Sequence, residues 1–119
     1  MNNAIEKELS KSGVLLLKLN RPEVLNAMNR DLIVGLLNTI NETIDDEKVR
    51  SIVLTGNGRG FCAGADLVDG GWPNEDNLSA GQSAGKNMET AFNPLVKAIT
   101  QSGKPIVTAV NGIAAGGGV

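Results

Sequence analysis

Histidine and tyrosine are missing from the 119 residues, and one cysteine, one tryptophan and two phenylalanines are all that stand beside them. Without histidine, no Ser-His or Cys-His couple and no His-based metal site can be built from these residues. The lone cysteine, Cys62, excludes an internal disulfide and fits a reducing compartment. Aromatic content of 3% argues against a protein that stacks on bases, and a net charge of -2 draws it to neither nucleic acid nor an anionic membrane. No cationic, apolar signal segment opens the chain and no apolar run is long enough to span a bilayer, so a cytoplasmic location is expected.

What is present is an ordinary apolar share, 41%, and 15 glycines. The apolar residues fall into segments. Ile5 to Leu9 and Val14 to Leu19 flank the turn Lys11-Ser12-Gly13 and predict a two-stranded hairpin. Arg21-Pro22 ends the second strand, because proline cannot continue a central ladder. Asn29 is a candidate N-cap for a helix to about Ile44, with Ile33, Leu36, Leu37, Ile40 and Ile44 on its buried face. Asp45 to Lys48 reads as a solvated connection, and Val49 to Thr55 as the next strand.

Between Val68 and Ser83 the composition turns to glycine, asparagine and acidic residues around Trp72, which predicts a long surface loop. From Ala84 the residues Met88, Ala91, Phe92, Leu95, Val96 and Ile99 keep helical spacing, with Pro94 either kinking the helix or marking a fresh start near Asn93. A last strand, Pro105 to Val110, leads into terminal glycines that look built to open a helix. Strands alternating with helices at these lengths imply an α/β fold with parallel strands joined by right-handed crossovers.

Two strand-then-glycine units carry the chemistry. The first is Ser51-Ile52-Val53-Leu54-Thr55 followed by a tight loop, Arg59-Gly60-Phe61-Cys62-Ala63-Gly64-Ala65-Asp66-Leu67. The second is Pro105 to Val110 followed by Asn111-Gly112-Ile113-Ala114-Ala115-Gly116-Gly117-Gly118-Val119. Glycines let the backbone approach a ligand, and small neighbours such as Ala63 and Ala65 leave its N–H groups uncovered. If the two strands are neighbours, two N–H donors converge as an oxyanion hole. Two phosphate-loop look-alikes fail. Gly58 to Ala63 matches G-x-G-x-x-A, but glycines and Pro73 follow where a helix must open. The stretch ending Gly85-Lys86 lacks the first glycine and the Ser/Thr of a Walker loop.

The segments Leu19 to Asn29, Ser51 to Leu67 and Lys104 to Val119 together resemble the crotonase family, the enoyl-CoA hydratase/isomerase superfamily, in the family's order. The resemblance implies a crotonase-like (ClpP/crotonase) spiral of β-β-α units, with residues 1–119 forming only the N-terminal portion of its core domain. It implies an enzyme that holds a thioester enolate with the N–H groups of Ala65 and Gly117, the latter at a helix N-terminus. Leu25, Ala27, Ala63, Ala65, Asp66, Leu67, Val68 and Gly117 would border the CoA substrate, with Asp66 bracing the loop or touching CoA rather than acting as a base.

By the same resemblance there is no metal and no redox cofactor, CoA enters as part of the substrate, and the complete protein is a homotrimer or dimer of trimers. The first catalytic glutamate of the hydratases would fall just beyond Val119, which leaves hydration and isomerisation equally open. It also leaves an alternative, an inactive N-terminal fragment that at most binds CoA or a subunit. Short segments such as Phe92 to Val96 are similar to the phenylacetate-pathway isomerase branch. Cys62 reads as a small core residue, and Trp72 either covers the acyl pocket or is an exposed aromatic.

Overall fold

The computed structural model describes residues 4–66 and 91–119. The expected loop around Trp72, and with it Leu67, Val68, Met88 and the start of the second helix, lies outside the described residues.

The hairpin forms with the expected bounds: β1 (Ile5–Leu9) runs antiparallel to β2 (Val14–Leu19), turning at Gly13 with φ 93°. Along β2 the side chains alternate, with Leu15, Leu17 and Leu19 buried and Val14, Leu16 and Lys18 partly open. That period of two is the mark of a strand with one face on the core. The strand β3 (Ser51–Gly56) lies parallel to β2, with Leu15 opposite Ile52 and Leu17 opposite Leu54. A third parallel strand, β5 (Ile106–Thr108), follows on its other side, so the sheet order is β1-β2-β3-β5. The last strand is shorter than the sequence suggests, three residues rather than Pro105 to Val110. Pro105 has no N–H for the ladder, and beyond Thr108 the chain is held by single bonds, Ala109 N to Leu54 O and Thr55 Oγ1 to Ala109 O.

The helix α1 (Arg30–Ile44) begins where Asn29 caps it, its Oδ1 accepting from Leu32 N at 2.9 Å. Its buried face is turned slightly from the expected one. Leu32, Ile33, Leu36, Thr39, Ile40 and Thr43 are buried, Leu37 is half-buried, and Ile44 is exposed. Two threonines can sit on a core face because each hydroxyl returns its proton to the helix, Thr39 to Gly35 O and Thr43 to Ile40 O, both at 2.8 Å. The helix ends under Lys104, whose ammonium donates to Thr43 O and, at 2.7 Å, to Asp46 O. A cation at the carbonyl end of a helix satisfies both the orphan acceptors and the dipole.

The second helix, α2 (Asn93–Thr100), carries Pro94 in its first turn, and Phe92 before it already has helical backbone angles, φ -68° and ψ -47°. It packs against α1 and buries Leu95, while Val96 faces outward. A short strand, β4 (Gly60–Cys62), appears where a tight loop was expected, and pairs in parallel with β6 (Ile113–Ala114) in a second, two-stranded sheet. The chain thus repeats a strand for the large sheet followed by a strand for the small one: β3 then β4, β5 then β6. No helix among the described residues is long and apolar enough to cross a membrane.

Leu17 is fully buried in the core, whereas Asn29 contributes a single cap. Leu17→Ala is expected to destabilise by about 2–5 kcal/mol and Asn29→Ala by about 1 kcal/mol in chemical denaturation, with the denaturant slope unchanged.

Candidate functional site

The site is assembled by the turn after β2. Pro22 to Val24 form one 3-10 turn, and the two residues after it, Leu25 and Asn26, both take left-handed backbone conformations, φ 54° and 56°. Two consecutive non-glycine residues in that region are strained, and something must hold them there. Asn26 does so. It is fully buried, its Oδ1 accepts from Arg21 N at 2.7 Å, and its Nδ2 donates to Asn57 O at 3.0 Å and Gly60 O at 2.9 Å. Its own N–H closes on Arg21 O at 2.8 Å. The amide therefore ties the turn to both ends of the β3–β4 connection.

The twist at Leu25 aims its carbonyl at Ala63 N, 3.0 Å away. Gly60 packs closely opposite, where a Cβ would come within 3.2 Å of the Leu25 side chain. Three residues after Leu25, Met28 lies alongside Ala65 as an isolated parallel bridge. Met28 N donates to Gly64 O at 2.7 Å, and Met28 O accepts from Asp66 N at 2.9 Å. In such a bridge the bonds fall on the neighbours of Ala65, so the N–H of Ala65 itself is left out of the ladder. Ala65 is exposed between a buried Gly64 and a buried Asp66.

Asp66 does not project as a free carboxylate. It forms an ion pair with Arg21 at 2.9 Å, and both side chains are nearly buried. The same Arg21 nitrogen, Nη1, donates to Ala27 O at 2.6 Å. Through Arg21, Asp66 is tied to the Ala27 carbonyl of the turn after β2.

The second glycine unit meets the first backbone to backbone. Ala115 N donates to Cys62 O at 3.0 Å as β6 ends, and the chain turns through one 3-10 turn at Gly116–Gly118. Gly117 is the middle residue of that turn. Three successive glycines favour a short turn over regular helix. The packing leaves no room for side chains: a Cβ on Gly118 would lie 2.2 Å from Cys62 O. One on Gly64 would lie 3.1 Å from Ala115 O and 3.7 Å from Gly117 N. Gly117 is exposed, and among the described residues its N–H, like that of Ala65, has no backbone partner. Asn111 locks the approach, donating from Nδ2 to Gly58 O at 3.0 Å and accepting at Oδ1 from Gly56 N at 3.1 Å.

Of the expected site residues, the fold thus gathers Leu25, Ala27, Ala63, Ala65, Asp66 and Gly117 around one seam. Three residues that the sequence reading passed over, Arg21, Asn26 and Asn111, hold the seam together. Their signal is faint: each is polar, and each sits at the edge of an apolar run.

Cys62 is buried beneath the seam, and burial pushes its thiol above the ordinary 9.0 against the lowering effect of a backbone hydrogen bond from Gly64. The fold therefore prefers the neutral thiol. Its contribution to stability is complete below the pKa of the unfolded thiol and is lost as pH rises from there through the higher folded value. Thiol-reactive dyes are expected to label native Cys62 far more slowly than the denatured chain, and Cys62→Ala to flatten the alkaline fall in melting temperature. Asn26→Asp, of the same shape, puts a carboxylate against the carbonyls of Asn57 and Gly60. A loss on the order of 3 kcal/mol or more is expected at the urea midpoint.

The Enoyl-CoA hydratase/isomerase family profile matches residues 9–119. Among curated relatives, the 1,2-epoxyphenylacetyl-CoA isomerase of Escherichia coli is 42% identical over 91% of this chain and 40% of its own length. The crotonyl-CoA hydratase of Syntrophomonas wolfei is 32% identical over 98% of this chain and 42% of its own. Among solved structures, a monofunctional enoyl CoA isomerase from M. smegmatis superposes with a TM-score of 0.75 at 31% identity, covering 98% of this chain and 44% of that one. The chain spans about 40% of the length of the curated relatives it matches. With the profile matching nearly end to end and the paired sheets superposing on solved members, this α/β chain has the crotonase-like fold and belongs to the enoyl-CoA hydratase/isomerase family.

Proposed function

We propose that these residues form the charge-stabilising half of an acyl-CoA hydratase/isomerase site, in which Ala65 N–H and Gly117 N–H grip the thioester oxygen of the substrate. The observation that carries the reading is the seam itself: two exposed residues whose N–H groups have no backbone partner among the described residues, in loops packed against each other. When water adds to the β-carbon of an enoyl thioester, or a proton leaves the α-carbon, an electron pair moves onto the thioester oxygen. Fixed N–H dipoles aimed at that oxygen favour the enolate over the ground-state carbonyl. Such a site draws on no metal or redox cofactor, and CoA arrives as part of the substrate.

One enolate serves both hydration and isomerisation, which accords with relatives named for each. The CoA moiety would lie along Leu25, Ala27, Ala63 and Asp66, with Leu67 and Val68 continuing the groove. By family resemblance the complete protein acts as a homotrimer or dimer of trimers in the cytoplasm. The identity with an epoxyphenylacetyl-CoA isomerase supports a ring-derived acyl group as one substrate class, in phenylacetate breakdown.

Proline at position 65 deletes the N–H without breaking either bond to Met28. Proline at 117 does the same but adds carbon near Met28 Cε, which an ideal Cβ would approach to 2.7 Å; Gly117→Ala controls for that bulk. Ala65→Pro and Gly117→Pro are each expected to cut enoyl-CoA turnover by about 10²–10³-fold, with Gly117→Ala falling much less. Normal turnover in either proline variant would remove that N–H from the oxyanion hole.

A further inference from the structure

A continuous line of hydrogen-bonded peptide groups connects a cation to the proposed oxyanion donor. Arg21 Nη1 donates to Ala27 O at 2.6 Å. That carbonyl shares its peptide group with Met28 N, which donates to Gly64 O at 2.7 Å. The Gly64 carbonyl in turn shares its peptide group with Ala65 N. Because each peptide is planar and trans, its C=O and N–H point opposite ways, so a bond received at one end fixes the direction of the donor at the other. From these contacts we infer that Arg21 is a positioning residue of the oxyanion hole, which orients and polarises the Ala65 N–H through two intervening peptide groups.

The direction of the effect follows from the charges. A guanidinium on the Ala27 carbonyl draws electron density from that peptide and makes Met28 N–H a stronger donor. The Gly64 carbonyl then passes the same polarisation to Ala65 N–H. Asp66 opposes this. Its carboxylate takes the same Arg21 nitrogen, one residue from Ala65, and sets a negative charge close to where the substrate oxygen becomes negative. A mere brace and a polarising relay therefore make different demands on Asp66. A brace needs only an acceptor for Arg21. In a relay the carboxylate attenuates the cation.

The inference rests on Ala65 acting as the thioester donor, and the test separates the two ideas. The full chain would be mixed with cinnamoyl-CoA carrying carbon-13 at the thioester carbonyl, and the carbonyl stretch followed by difference infrared spectroscopy, alongside turnover of crotonyl-CoA. Binding to the unaltered protein should lower the stretching frequency. Arg21→Gln should lessen that shift and reduce kcat about ten- to hundredfold with a smaller change in KM, and Arg21→Lys should recover part of both. Asp66→Asn keeps shape and acceptor while removing the charge. It is expected to lose stability, because Arg21 keeps its charge without a carboxylate. Compared at a temperature where circular dichroism shows it folded, it should lower the frequency further. An unaltered or smaller shift in Asp66→Asn would overturn the relay while leaving Ala65 in its role. Absence of any shift in the unaltered protein would overturn both.

Discussion

The buried amide of Asn26 is the interaction on which the architecture of this region depends. Three polar contacts from one side chain, to Arg21 N, Asn57 O and Gly60 O, hold a left-handed backbone that asparagine tolerates but Leu25 would not choose. The cost of two left-handed residues is met because the amide would otherwise be buried without partners. From that forced geometry come the Leu25 carbonyl on Ala63, the alignment of Met28 with Ala65, and the reach of Arg21 to Ala27 and Asp66.

A division of labour follows. The large sheet and α1 supply burial, through alternating leucines on β2 and a helix stripe. The small sheet is far smaller, β4 and β6 being three and two residues long, and its share of the core is Phe61 and Cys62 of β4. Its function is to bring two stretches of bare backbone together, which is why glycine recurs there. At Gly64, Gly112 and Gly118 the facing atoms are main-chain atoms that cannot step aside for a methyl group.

Hydropathy and turn chemistry made the scaffold legible. The hairpin, the Asn29 cap and the strand through Ile52 and Leu54 follow from apolar period and local punctuation, and the structure has them within a residue or two. The glycine loops were legible as candidate N–H donors through their uncovered backbone. Three things were hidden, each for its own reason. β4 is too short to show a period, and its partner lies far along the chain. Thr39 and Thr43 look like surface residues until their hydroxyls are seen turned back on α1. Asn26 and Arg21 read as loop polarity, because nothing local distinguishes an asparagine that gathers a fold from one that merely faces water.

The pairing of β4 with β6 also bears on the order of events during folding. Gly60 meets Ile113 and Thr55 meets Ala109, the latter 54 positions apart. The β1–β2 hairpin closes through a turn of a few residues and can form early, whereas the seam must wait for a long loop to close and for β5 to dock on β3. The two glycine loops therefore face each other only when nearly everything else is in place. A chain caught part-way has a sheet and a helix but no seam, so any activity that depends on both loops reports on completed folding rather than on secondary structure.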